Sequence, residues 1–251
     1  MNYRRILVFG AHADDEMTMS GTIYKLSQAK CRVCVVTMAD GSEGYPRVDM
    51  REQVAKWRRR EAAAADRVLG VARRVFLDGP DMGITNDKAT LHRCIAVIRE
   101  ERPDAIFTHG PVDNHRDHVA THQVTTDAFW QAGQPVSAAL GPFWQTPYLY
   151  YYKACPSGLP RVEFDVTDTA HKRLEALATQ ISQHTYFRKT RADFLAEARA
   201  MKRSKERQVE TFHLVDRVVM RDFPSLAIAS PQPDWPAEFA QGTAAKQSAS
   251  R

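Results

Sequence analysis

The chain is poor in everything that marks a secreted or membrane-spanning protein. Its four cysteines among 251 residues, at positions 31, 34, 94 and 155, are too few and too scattered for a disulfide framework. No stretch approaches the ~20 apolar residues of a membrane span. The run from Ile6 to Phe9 is too short for the apolar core of a signal peptide and meets charge at once. The expectation is a cytoplasmic protein with no stable membrane insertion. A G-x-G-x-x-G turn is also missing: after Gly10 come His12, Asp14, Asp15 and Glu16, and three acids there would repel a pyrophosphate. No serine or cysteine sits in a convincing nucleophile elbow. Nucleic acid is not an expected partner either. The net charge of +5 is spread over arginine doublets and triplets with no aromatic residues interleaved, which leaves open a mild preference for anionic ligands.

Short apolar runs at 5–9, 32–38, 74–77 and 104–108 suit buried parallel strands. Helical patterns over about 18–29, 48–69, 88–101 and 117–131 alternate with them, the second ending at Gly70, a C-cap glycine. This order predicts a doubly wound α/β domain, a mostly parallel sheet flanked by helices. The second half is less regular: strands at 147–153, 161–166 and 208–215, helices at 168–182 and about 187–201. One domain over 1–230 with a loose extension over 231–251, rich in Ala, Ser, Pro and Gln, is the simplest division. Cys31 and Cys34 spell C-x-x-C, but CRVCVVTM reads as a buried strand, where residues three apart point to opposite faces. They are expected to be small buried side chains rather than a metal clip.

The residues at the end of each strand are more informative. The first strand leads into His12, Asp14, Asp15 and Glu16, and the second into Asp40 and Glu43. The third leads into Asp78 and Asp81, and the fourth into His109, Asp113, His115, Asp117 and His118. In an open parallel sheet these loops emerge at one carboxyl edge, where ligands bind. Taken singly, the acids after the first strand read as a helix N-terminal cluster favoured by the dipole, and Asp117 as an N-cap. Taken jointly, His-x-x-Asp and His-x-x-His at one edge suggest a cation site. His122, four residues after His118, is a rival ligand that we rank as a surface or supporting residue.

Two imidazoles and a carboxylate suit Zn²⁺, and a catalytic zinc keeps a fourth position for water. His12, Asp15 and His118 fill the three protein places. Asp14 is then left as a general base, and His115 as an imidazole that can face the oxyanion and later protonate the leaving amine. Asp117 is expected to orient His115. Attack by water activated at the metal is the mechanism these residues allow.

The segments GAHADDE and DNHRDHVATH resemble the two signatures of the LmbE-like, or PIG-L, de-N-acetylases, whose usual forms are AHPDDE and HPDH. The resemblance runs over about 4–150 and includes the R-x-x-E-A segment from Arg58 to Ala62 and the turn Asp81-Met82-Gly83. It implies a Rossmann-like fold and zinc-dependent removal of acetyl groups from N-acetylglucosamine-type substrates. Carried across, it places the metal on His12, Asp15 and His118, the general base on Asp14 and the oxyanion-polarising histidine on His115. Asp117 falls where the family has that histidine's partner, and Arg58 and Asp81 where it holds sugar hydroxyls or other polar groups. Three departures stand out. Ala13 and Arg116 replace prolines, and Asp113 stands where some members have tyrosine.

The expected partner is a small N-acylated amino sugar or glycoconjugate. Two alternatives remain: the same chemistry on a thiol-sugar conjugate or antibiotic intermediate, and a non-catalytic sugar- or metal-binding domain. The oligomeric state, including a homo-oligomer, is left open.

Overall fold

The computed structural model describes residues 3–152 and 159–215. The division expected at 230/231, and Cys155, lie outside them. The elements run β1 (Arg5–Gly10), α1 (Ser20–Gln28), β2 (Arg32–Ala39), α2 (Arg51–Leu69), β3 (Arg73–Gly79), α3 (Lys88–Glu101), β4 (Ala105–His109) and α4 (Arg116–Gln131). Then come β5 (Tyr148–Tyr152), β6 (Arg161–Asp165), α5 (His171–Leu177), α6 (His184–Phe187), α7 (Arg191–Arg203) and β7 (Val209–Leu214). One seven-stranded sheet has the order β3-β2-β1-β4-β5-β7-β6. The first five strands in that order are parallel, and β7 pairs antiparallel with both β5 and β6.

The central strands are buried on both faces, and for that reason β1 and β2 read as unbroken apolar runs rather than alternating ones. Alternation still decides which layer each residue enters. Leu7, Phe9, Cys34 and Val36 pack on one face against Ile95 and Ile98 of α3 and Phe129 of α4. Ile6, Val8, Val33 and Val35 pack on the other against Ile23, Leu69, Leu177 and Phe194. Cys31 lies just before β2, in the second layer, and Cys34 is in the first. Both are free thiols, with burial pushing them up to about 11 and about 12. No metal clip forms there. α2 closes as expected at Gly70, whose φ of 73° is left-handed. No helix of the described residues is long and apolar enough to cross a membrane.

The helix expected over 168–182 is cut to α5, a turn, a 3-10 turn at Ile181–Gln183 and the short α6. Tertiary contacts with α2 override local propensity. The Glu61 carboxylate accepts from both the backbone N–H and the hydroxyl of Ser182, each at 2.7 Å. Gln180 Oε1 accepts from Arg58. The next helix starts at 191 rather than 187 because Thr190 and Asp193 form a capping box.

Candidate active site

The strand order reverses direction between β1 and β4, so the crevice beyond their carboxyl ends is the topological switch point. The two histidine-bearing loops lie there. After β1 the chain folds back on itself, and Gly10 permits it: a Cβ there would lie 3.0 Å from Asp15 Cβ and 3.1 Å from the His12 carbonyl oxygen. The Asp15 carboxylate then accepts the His12 backbone N–H at 2.8 Å. After β4, Asp113 ties the loop together. Its carboxylate accepts the His115 N–H at 2.8 Å and holds His118 Nδ1 at 2.9 Å. With Nδ1 donating to a carboxylate, His118 Nε2 carries the lone pair that a metal requires.

Asp15 lies close to each of the other two expected ligands. Asp15 Oδ1 is 3.2 Å from His118 Nε2, and Asp15 Oδ2 is 3.6 Å from His12 Nδ1. Three overlapping sets bring potential ligand atoms within 4.8 Å of one another: His12/His115/His118, Asp15/His109/His118 and His12/Asp81/Asp117. Each expected ligand is in at least one, but none holds His12, Asp15 and His118 together, and the first includes His115. Burial opposes ionisation of Asp15, but the neighbouring His109, His118 and His12 hold its carboxyl well below the usual range. Burial likewise opposes charge on His12, yet hydrogen bonds to Asp117, Asp15 and Asp81 push it up to about 12. The crevice therefore demands positive charge and offers borderline N and O donors, a combination that fits a divalent cation such as Zn²⁺.

Asp14 occupies the N-cap position of a 3-10 turn at Asp15–Met19, but its side chain makes no capping bond. Its Oδ1 pairs with the buried Arg58 at 2.9 Å, and among the described residues Oδ2 has no hydrogen-bond partner. Arg58 thus grips Asp14, and Asp81 meets His12 Nε2 at 3.3 Å and the Glu43 N–H at 3.1 Å. Both residues still line the cavity.

The expected orientation of His115 by the Asp117 carboxylate is not what the structure places. It is the Asp117 backbone N–H that donates to His115 Nδ1, at 3.2 Å, with His115 as the N-cap of α4. The buried Asp117 carboxylate instead accepts from the N–H groups of Met82 and Ile84 and faces His12 Nε2 at 3.4 Å. The reason is local: on the first turn of α4 the side chain points to the loop after β3, not back to the cap. An Nδ1 that accepts leaves the proton on Nε2. Burial, reinforced by the nearby His12 and His118, keeps the His115 pKa below its ordinary value, so the ring is a neutral Nε2–H donor.

Two participants carried no assigned role in the sequence. His109, fully buried at the end of β4, places Nε2 3.1 Å from Asp15 Oδ2 and 3.2 Å from the Ala11 N–H, and its ring stacks on His118 at 4.2 Å. Its tautomer sets which of the two bonds is made. A histidine closing an apolar strand at the carboxyl edge was the available signal. Asp113 is the other, and its spacing to His115 and His118 was visible. His122 turns away, bonding the His109 carbonyl and meeting the Tyr151 ring edge to face. If Asp113 orients His118, Asp113→Ala is expected to weaken metal binding about 10–100-fold. Competition with a chelating indicator checks this.

The cluster forms the floor of a cavity of about 460 Å³, walled by Met17, Leu177 and Phe187 and rimmed by Tyr186 and Arg173. That volume suits a mono- or disaccharide-sized ligand.

Fold and site together define a Rossmann-like α/β protein with a His/Asp metal-type cluster at its switch point. The chain belongs to the PIG-L family of GlcNAc-PI de-N-acetylases, whose family model matches residues 7–129. The 1D-myo-inositol 2-acetamido-2-deoxy-alpha-D-glucopyranoside deacetylase of Rhodococcus jostii is 31% identical over 195 residues, covering 64% of this chain and 67% of that protein. The chain spans less than two thirds of the length of several other curated relatives it matches. Among solved structures, N,N'-diacetylchitobiose deacetylase from Pyrococcus horikoshii superposes with a TM-score of 0.71 at 23% identity, covering 85% of this chain and 84% of that one. GalB, a 4-carboxy-2-hydroxymuconate hydratase from Pseudomonas putida, superposes with a TM-score of 0.68 at 21% identity, covering 88% of this chain and 100% of that one. At these identities the likeness is one of fold, and this fold carries both a deacetylase and a hydratase. The reaction must be read from the site.

Proposed function

We propose that the chain is a metal-dependent hydrolase that removes the acetyl group from an N-acetylated amino sugar. The observation that carries the reading is the convergence, on two loops at the switch point, of a metal-type set (His12, Asp15, His118) with Asp14 and His115, which a pure binder would not need. The named deacetylase relatives support the substrate class.

In this reading His12, Asp15 and His118 hold Zn²⁺, which when bound polarises the amide carbonyl and makes a water molecule more acidic. Asp14 takes a proton from the attacking water through the oxygen that Arg58 leaves open. His115 donates Nε2–H to the carbonyl oxygen as negative charge grows there. The C–N bond then breaks, Asp14 returns its proton to the amine nitrogen, and acetate and the free amino sugar leave. Asp113 and Asp117 fix the far nitrogens of His118 and His12, and Asp81 and Arg58 border the sugar. The test is release of amine and acetate from a panel of N-acetylglucosamine glycosides, with and without chelator. Equal turnover after metal removal, or no turnover on any amide, rules the reading out.

His115→Ala is expected to lower kcat about 10²–10³-fold with little change in KM, as for one lost oxyanion donor. Because its pKa is lowered, the ring is neutral at neutral and alkaline pH. Nε2–H is kept at low pH, but protonation at Nδ1 breaks the bond from the Asp117 N–H that aims the ring. Any limb of the rate profile that belongs to His115 therefore lies on the acid side, and pH profiles of wild type and variant check this. An unchanged kcat would remove His115 from the chemistry.

A further inference from the structure

We propose that the active-site cavity continues into a second subsite, between α5, α6 and α7, which takes the aglycone of the substrate and favours one that is apolar and anionic. This rests on the deacetylase reading above. A second cavity of about 350 Å³ adjoins the first and shares three lining residues with it: Arg173, Leu177 and Phe187. Beyond that shared edge it is lined by Leu174, Phe194 and other apolar side chains, and no acid lines it. With the acetamide on the His/Asp floor, the substituent is assigned to this shared edge.

The charge at the edge is unspent. Lys189, also in the second cavity, is already paired with Glu197 at 2.6 Å. Deeper in the first cavity, Arg58 is paired with Asp14. Arg173 is exposed and has no ion pair or side-chain hydrogen bond among the described residues. The acid nearest it in effect, Glu210, has both carboxylate oxygens bonded by the N–H groups of Gly21 and Thr22. Arg173 is therefore the cation available to a ligand anion. Tyr186, which also lines the first cavity, is 83% exposed and meets Phe187 edge to face, leaving a surface on which a sugar or aryl face can stack.

The test compares the methyl, phenyl and 4-carboxyphenyl glycosides of N-acetylglucosamine, all of one anomer, by kcat/KM for acetate release and by Kd. The expected order is carboxyphenyl over phenyl by about fivefold and phenyl over methyl by about tenfold. In Arg173→Gln the carboxyphenyl-to-phenyl ratio should fall to about one, and Arg173→Lys should restore part of it. Equal values for all three glycosides in wild type, in both kcat/KM and Kd, overturn the subsite while leaving deacetylation intact. A carboxylate preference that persists in Arg173→Gln overturns the assignment to Arg173. A Kd preference without acetate release supports the subsite and overturns the reading of the reaction.

Discussion

With Asp15 replaced by alanine, the protein is expected to lose more than 100-fold in metal affinity, and its turnover should fall below detection. Asp15 is the hub of the cluster. One oxygen faces His118 Nε2, and the other meets the His12 N–H and His109 Nε2. Removing it deletes one of three proposed ligands and leaves buried imidazoles facing one another without a carboxylate between them. The loss should exceed the 10–100-fold typical of a supporting residue. Asp15→Asn, which keeps the shape, separates lost ligation from a lost fold, with circular dichroism as the control. Full metal occupancy after dialysis in both variants would refute the ligand role of Asp15.

The second large effect separates catalysis from metal binding. Asp14→Asn is expected to keep its metal and lose about 10²–10⁴-fold in kcat, the range for a lost general base. Asp14 belongs to none of the three clusters of ligand atoms, and its contact is with Arg58. Arg58→Gln should give a smaller loss, because that arginine holds the carboxylate but accepts no proton. Metal analysis beside steady-state kinetics reads both effects. If Asp14→Asn loses the metal while Asp15→Asn keeps it, the two aspartates have exchanged roles.

The first half of the fold was legible because its physics is local. A strand buried on both faces must be apolar throughout, so β1, β2 and β4 stand out, and α3 falls on the residues its periodicity predicts. Parallel topology then sends every loop rich in acids and histidines to one edge, which made His12, Asp14, Asp15, His115 and His118 candidates before any coordinates. The illegible features depend on distant partners. The pairing of Ser182 with Glu61 ends a helix that 168–182 would otherwise continue. The Asp117 carboxylate turns to His12 and the loop after β3, a choice that adjacency to His115 could not reveal. His109 was read as the first residue after the fourth strand, and only the pairing of β1 with β4 brings it to Asp15. The cavity's outer wall comes from α5 and α6, in the half with the weakest pattern. Arg173 and Tyr186 are ordinary surface residues until the chain folds.

Every role proposed for these residues depends on where the metal sits, and anomalous scattering at the zinc edge from crystals of zinc-loaded protein locates it. The expected result is one strong peak about 2.0–2.2 Å from a nitrogen of His12, a nitrogen of His118 and a carboxylate oxygen of Asp15, with Asp14 and His115 beside it but outside bonding distance. A peak held by His12, Asp81 and Asp117, or by His109 in place of His12, would contradict it.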